Sequence, residues 1–466
     1  MKIHMVAVCG TGMGSLAGLL KEAGHQVRGS DKAFYPPMSE SLKRWGIITV
    51  EGFDANNIQS GTDLVVVGNA CRKDNPEARF ALDNGIHVMS FPQTLSEMFI
   101  TGKRSLVMAG THGKTTTSSL MSYLLVRAGR DPGFLVGGIP LNFQKSFRLG
   151  HGQEFVVEGD EYDSAFFDKR PKFVHYQPDM VVLTSVEFDH ADIYADMDAY
   201  RESFRTLVDM IPEDGLLVAN ADDSEVMALA REARCLVTTY GFGSEAQWRI
   251  GNLSIDGSST TFDLTTPDGH FSSLRVPLAG RHNAANATAC LVLANRLDMD
   301  PPEAVKNMEG FEGIARRMQV RGELAGVVVV DDFAHHPTEV RETIVAARHR
   351  WPSKHLVAIF EPRTNTSRRS YFQDLYPTSF EGADRVMVVP PFGADDIDES
   401  ERFDSEKLVH ALRSRGQDAM LCLDVQDVLD RLVNQLKPGS VVLIMSNGAF
   451  ENIHQRLLDS LGAREG

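Results

Sequence analysis

Residues 106–120 read LVMAGTHGKTTTSSL, an apolar strand that runs through a glycine turn into a polar helix start. The tail Gly113-Lys114-Thr115 is that of a phosphate-binding loop. Backbone N–H groups cradle phosphate, the lysine brings a point charge to the β- and γ-phosphates, and the threonine hydroxyl ligates Mg²⁺. The full pattern G-x-x-x-x-G-K-[ST] puts glycine at 108, where this chain has Met108. Strand before and helix after are nevertheless the context such a loop requires. Gly110, Thr111, His112, Gly113, Lys114, Thr115 and Thr116 are therefore expected to hold the phosphates of ATP.

Two acidic stretches follow strands downstream, Glu158-Gly159-Asp160-Glu161-Tyr162-Asp163 and Glu187-Phe188-Asp189-His190. Carboxylates at the C-terminal ends of strands beside a P-loop sit where Mg²⁺ bridging ATP needs hard oxygen ligands, with His190 as a further ligand. Solvated acidic loops are the plainer alternative. In Gly280-Arg281-His282-Asn283-Ala284-Ala285-Asn286, His282 and Asn286 share a helix face at i, i+4 spacing and could read an adenine edge, or simply open a capped helix. His335-His336, in DDFAHHP at 331, invites a metal reading, but adjacent side chains diverge and no third ligand is evident, so a zinc site is not expected.

Upstream, Gly10-Thr11-Gly12-Met13-Gly14 follows a short apolar strand and resembles the dinucleotide fingerprint, whose glycines let a backbone turn approach a pyrophosphate at a helix N-terminus. The third glycine falls at 15, where Ser15 stands, and the helix is expected over Ser15–Ala23. Asp31 lies about where an acid would accept hydrogen bonds from a ribose. This turn does not choose between NAD and a UDP-sugar, and a merely structural turn is the alternative.

The length of 466 residues fits about three domains at ~150 residues each, placed at 1–100, 101–313 and 314–466. Short alternating segments between about 240 and 278 read as a small antiparallel patch, and apolar strands from Val327, Leu356, Arg385 and Ser440 form a third α/β series. FGADDIDESE at 392 reads as a mobile acidic loop, and Asp74-Asn75-Pro76-Glu77 as a turn. No solenoid repeat or low-complexity segment is present. Hydrophobic residues at 42% and charged residues at 24% match a soluble globular protein. The apolar run Met5–Cys9 is too short for a signal peptide or a membrane span, which reads as cytoplasmic. Five scattered cysteines without a C-x-x-C pair argue for neither a disulfide frame nor a zinc cluster. A formal net charge of -16 argues against nucleic-acid and anionic-membrane surfaces, and no obligate protein partner is evident.

Taken in order, the glycine turn at 10, GTHGKTTT at 110, EGDEYD at 158, EFDH at 187, GRHNAANA at 280, ARRM at 315 and DDFAHHPTE at 331 resemble the Mur ligase family across nearly the whole chain. That family's P-loop lacks the first Walker glycine, which accounts for Met108. YPPM at 35, DEYDSAFFDKR at 160, FEPRTNT at 360 and MSNGAFENIH at 445 are similar to the branch that joins a preformed tripeptide, L-alanyl-γ-D-glutamyl-meso-diaminopimelate, to UDP-N-acetylmuramate. The resemblance implies an α/β fold of three domains: an N-terminal Rossmann-like UDP-sugar domain, a central P-loop ATPase domain and a C-terminal Rossmann-like domain that brings the amine.

It implies ATP-dependent amide synthesis through an acyl phosphate, with ATP as co-substrate and Mg²⁺ as cofactor. Lys114, Glu158 and His190 would be catalytic, and Thr115, Glu158 and His190 would hold the metal. Adenine would meet His282 and Asn286, the ribose Asp332, and a phosphate Arg317. Gly10, Thr11, Gly12, Met13, Asp31 and Asn69 would hold the UDP-sugar, and Arg363 a carboxylate of the murein tripeptide. Two positions depart from many relatives: Ser185 stands where they have Asn, and Arg205 stands near the place of a carbamylated lysine, which the muramate-binding branch also lacks. The competing readings are the branch that adds free L-alanine to the same sugar, a nicotinamide-dependent dehydrogenase and a non-enzymatic nucleotide switch.

Overall fold

The computed structural model describes residues 1–35 and 38–463, so Pro36 and Pro37 of the YPPM stretch lie outside the described residues. The first sheet comprises β1 (Lys2–Val6), β2 (Gln26–Asp31), β3 (Ile48–Glu51), β4 (Leu64–Val67) and β5 (His87–Ser90) in the order 3-2-1-4-5. Every pairing is parallel. All four residues of β4 are buried, as expected of a strand covered on both faces. The strand order reverses at β1, so the glycine turn that follows it opens at the switch point where open α/β sheets bind ligands.

The helix after β1 spans Thr11–Glu22, so it begins four residues before the expected Ser15. Glycines disfavour a helix interior, but packing decides here: a Cβ on Gly14 would fall 2.2 Å from Met38 Sδ. Ser15, where the fingerprint has glycine, donates to the Thr11 carbonyl and meets Ser146 Oγ of the central domain at 2.6 Å. The stretch at 74–77, expected as a turn, is a helix start. Asn75 caps Pro76–Asp83, and fully buried Glu77 accepts hydrogen bonds from His4, Ser30 and Asn57.

The central sheet has ten strands: β6 (Arg104–Ala109), β7 (Gly133–Leu135), β8 (Phe147–Arg148), β9 (Glu154–Gly159), β12 (Met180–Leu183), β13 (Leu216–Asn220), β14 (Leu236–Gly241), β15 (Trp248–Asp256), β16 (Ser259–Thr266) and β17 (Gly269–Val276). A separate hairpin, β10 (Asp163–Ala165) and β11 (Asp168–Pro171), leaves β9. The sheet order is 17-16-15-14-13-12-6-9-7-8. β6, which feeds the P-loop, is flanked by β12 and β9, the two strands that deliver the acidic stretches. The expected antiparallel patch is β15–β17, but it is not a separate unit: β15 pairs parallel with β14 and so extends the main sheet.

The third sheet contains β18 (Gln319–Leu324), β19 (Val327–Asp332), β20 (His355–Phe360), β21 (Arg385–Val388), β22 (Asp418–Leu421) and β23 (Ser440–Met445), ordered 18-19-23-20-21-22 with β18 as the antiparallel edge. It has its own apolar layers on both faces. The acidic segment at 392–401, expected as a mobile loop, is tied down by arginines. Arg363 stacks on Phe392, Arg368 donates to the Phe392 carbonyl, and Arg369 pairs with Glu401. Hydrogen bonds from Thr338 to Glu187 (2.7 Å) and from Asn365 to Asp192 (2.8 Å) join the third domain to the second. Among the described residues no helix is long and apolar enough to cross a membrane.

Candidate active site

The P-loop closes into the helix Lys114–Arg127 through Gly113, whose φ of 83° is left-handed and whose Cβ, if present, would lie 2.7 Å from Asn286 Oδ1. Only glycine satisfies both demands. The loop is gripped from the β12 side. Thr111 N donates to the Ser185 carbonyl (2.9 Å) and His112 N to Ser185 Oγ (3.0 Å), while Glu187 N donates to Thr111 Oγ1 (2.9 Å). Ser185 therefore shapes the loop. Arg205 pairs instead with Glu202 and Glu232 at the surface.

Lys114 Nζ lies 3.1 and 3.0 Å from the two oxygens of Glu161 and donates to the Gly110 and Thr111 carbonyls. Glu161 is fully buried and also meets His190 Nε2 at 2.9 Å and Tyr200 Oη at 3.1 Å. Burial opposes charge on all three ionisable groups. Mutual attraction prevails, so Lys114 and His190 are raised and Glu161 is lowered. Sequence reasoning placed Glu161 only within an acidic cluster; its partners are remote along the chain and no local signal marked it.

Glu158 forms a second group. It accepts from Thr115 Oγ1 (3.1 Å), Ser118 Oγ (3.2 Å) and Gly137 N (2.5 Å), and burial pushes its carboxyl up. The hard oxygens of Thr115 and Glu158 converge as Mg²⁺ requires. Of the expected set Thr115, Glu158 and His190, the first two meet directly, while His190 is held on Glu161. Thr116 lies in the first helical turn behind Lys114.

Between P-loop and third domain, His112 Nε2 is 3.4 Å from Glu187 and its Nδ1 3.4 Å from Glu339, while the His336 ring stacks on His112 at 4.5 Å. Against burial, the two carboxylates hold the His112 imidazolium up to about 9, whereas burial and His112 push His336 down to about 4. The metal-capable atoms of His112, Glu187 and His336 lie within 4.8 Å of one another. Each ring already has hydrogen-bonding partners, including the Thr338 N–H on His336 Nδ1, so the cluster reads as an ionic clamp. His335 sits beside Glu339 and 3.9 Å from Asp189.

The other expected nucleotide residues are dispersed around this clamp. His282 Nδ1 is 3.8 Å from Glu342, too far to bond, and has no hydrogen-bond partner, whereas Asn286 backs the P-loop. The Arg317 guanidinium lies 5.1 Å from the Phe333 ring centroid and 3.8 Å from Glu339. Asp332, the expected ribose residue, is buried, and its oxygens accept from Met318 N (2.7 Å), Ala334 N (2.8 Å) and Thr343 Oγ1 (3.3 Å). Arg363 lies 3.3 Å from Glu361 and 3.6 Å over the Phe392 ring, at the C-terminal edge of β20.

A cavity of about 320 Å³ joins the first glycine turn to the central acids. Gly10, Thr11, Gly12, Met13 and Asn69 line it together with Glu158, Asp160 and Lys172. The helix at Thr11 has no side-chain cap and no acid in its first turn, which leaves its N-terminal donors for an anion. Asp31 does not line this cavity; its oxygens accept from Cys9 N and Lys32 N, both at 2.7 Å, and pin the loop.

Matches to known families cover each domain in turn: the Mur ligase family catalytic domain over residues 2–101, the Mur ligase middle domain over 108–294, and the Mur ligase glutamate ligase domain over 316–448. The chain belongs to the Mur ligase family, ATP-dependent enzymes that form amide bonds. It is 36% identical to the UDP-N-acetylmuramate–L-alanyl-γ-D-glutamyl-meso-2,6-diaminoheptandioate ligase of Escherichia coli K12, over 100% of this chain and 99% of that protein. It is 32% identical to the UDP-N-acetylmuramate–L-alanine ligase of Clostridium tetani, over 96% and 95%. Among solved structures, a murein peptide ligase from Psychrobacter arcticus matches with a TM-score of 0.75 at 36% identity, covering 99% of each chain.

Proposed function

We propose that this enzyme joins UDP-N-acetylmuramate to L-alanyl-γ-D-glutamyl-meso-diaminopimelate with hydrolysis of ATP to ADP and phosphate, in the cytoplasm and in the recycling of cell-wall peptide. The observation that carries the reading is the single cavity running from the uncapped helix at Thr11 to Glu158. It connects a diphosphate-binding turn to the acids beside the P-loop. Similarity to the Escherichia coli enzyme over the full length supports the same substrates. We assign residues 1–100 to the UDP-sugar, 101–313 to ATP and 314–466 to the peptide.

In this reading the lactyl carboxylate of the sugar attacks the γ-phosphorus, ADP leaves, and an acyl phosphate forms. The α-amine of the tripeptide then attacks the acyl carbon and loses a proton, and phosphate departs with one of the original carboxylate oxygens. Lys114 neutralises the transferring phosphoryl group once Glu161 releases it, and His190 steadies the charge that remains on Glu161. Gly110–Thr116 supply backbone donors to the phosphates. Thr115 and Glu158 would hold Mg²⁺, which supplies charge neutralisation between the phosphates. His282 faces adenine, and Arg317 meets a phosphate. Arg363 receives a peptide carboxylate through its planar fork.

The chemistry is tested with UDP-N-acetylmuramate carrying ¹⁸O in its lactyl carboxylate. One ¹⁸O should appear in each phosphate released in the presence of ATP and tripeptide. Unlabelled phosphate would exclude the acyl phosphate, and labelled phosphate formed with L-alanine but not tripeptide would assign the enzyme to the alanine-adding branch.

A further inference from the structure

Of the side chains lining the cavity between the glycine turn and Glu158, only Lys172 is basic; the other charged ones, Glu158 and Asp160, are acids. An anionic ligand entering this space meets two carboxylates, and the backbone donors at Thr11 serve only its diphosphate end. Lys172 is also fixed rather than loose. Its backbone N–H donates to the Tyr162 carbonyl (2.9 Å), and its ammonium lies 5.6 Å from the Tyr162 ring centroid and 2.6 Å from Asp160 Oδ2.

Lys172 opens the short 3-10 turn Lys172–His175 that follows β11, and this turn is tied back to the hairpin. Asp168 accepts from the Arg170 guanidinium at 2.9 Å and from His175 Nε2 at 2.8 Å. The side chain is largely but not wholly buried, at 16% exposure, so its head can reach a ligand in the cavity. A turn outside the main sheet, tied to the β10–β11 hairpin through His175 and Asp168, thus holds one ammonium where the sugar site meets the acids beside the P-loop.

We propose that Lys172 recognises the lactyl carboxylate of the UDP-sugar and positions it for attack on the γ-phosphorus. The assignment rests on UDP-N-acetylmuramate being the substrate. Before that ligand enters, Asp160 orients the ammonium; on binding, Lys172 shares its three donors between Asp160 and the incoming carboxylate. Lys172 therefore works as a carboxylate-specific reader of the sugar, and Asp160 only orients it in the free enzyme.

UDP-N-acetylglucosamine is the natural probe, because it differs from UDP-N-acetylmuramate only by lacking the lactyl group. Calorimetric titration of both ligands into the wild type, Lys172→Gln and Asp160→Asn, without ATP, is the test. The wild type should prefer the muramate, and K172Q should lose that preference by about tenfold or more, the scale of one charge-assisted hydrogen bond, while binding UDP-N-acetylglucosamine unchanged. D160N should keep the preference. The double variant K172M/D160N leaves no unpaired charge, guards against misfolding, and should repeat the loss. In turnover, K172Q should raise the KM for UDP-N-acetylmuramate and leave that for ATP in place. Undiminished preference in folded K172Q would overturn the proposal, as would equal weakening of both ligands, which would place Lys172 on the diphosphate. If the wild type binds neither UDP-sugar, the functional reading itself fails, and the two failures are thereby distinct.

Discussion

The helices that follow β1 and β6 both start without a side-chain cap, but Thr11–Glu22 opens into a cavity, whereas at the start of Lys114–Arg127 the Lys114 and Thr115 side chains are already engaged by the protein's own acids. Lys114 is held by Glu161 and Thr115 by Glu158, so the P-loop carries carboxylates where a nucleotide brings phosphate. The first turn can bind by backbone dipoles alone; the second must exchange one set of charged partners for another. Charge changes should therefore act far more strongly around β6 than around β1.

Lys114→Ala tests the strong side. Turnover should fall by roughly two or more orders of magnitude, the scale of one lost electrostatic contact to the transition state. The same change strands buried Glu161, so the melting temperature should fall as well. Adding Glu161→Gln should restore much of the melting temperature without restoring turnover. Near-normal turnover in the single variant would remove Lys114 from the chemistry.

Glu158→Gln keeps shape and loses charge, and the Mg²⁺ concentration needed for half-maximal rate should rise by about tenfold, as expected for a lost charge-assisted ligand. An unchanged Mg²⁺ titration would break the pairing of Glu158 with the metal. Arg363→Lys should raise the KM for tripeptide by a similar factor while leaving those for ATP and UDP-N-acetylmuramate nearly in place, because a point charge replaces a planar fork. Losses confined to ATP would move Arg363 into the nucleotide site.

The smallest effect concerns the clamp around His112. Its folded-state pKa is raised to about 9, so its contribution to stability is fully present below the unfolded value near 6.5 and is lost as pH rises through 9. The melting temperature of the wild type should exceed that of His112→Gln by about 2–4 °C at pH 6, what roughly 1 kcal/mol is worth in a domain of about 200 residues, and the gap should close by pH 10. A constant gap would show that His112 acts through packing rather than charge.

Much of this architecture was legible because it is local. Apolar runs such as those from Val327 and Ser440 read directly as buried strands, and the P-loop is contiguous. What escaped depends on distance along the chain. Lys114 and Glu161 are 47 residues apart, Thr338 and Glu187 are 151 apart, and neither pairing leaves a periodic trace. Asp31 and Asp332 sit at strand ends where ligand-binding acids are expected, and the backbone N–H groups they accept from are a second role that spacing does not show. The helix start at Thr11 was hidden because glycine propensity argues against it and only packing against Met38 argues for it.

The central claim is tested most directly by ATP-dependent phosphate release from the wild-type enzyme with UDP-N-acetylmuramate and either the tripeptide or free L-alanine. The account predicts release that requires both ATP and the UDP-sugar and is far faster with L-alanyl-γ-D-glutamyl-meso-diaminopimelate than with L-alanine. Equal or faster release with L-alanine would contradict it.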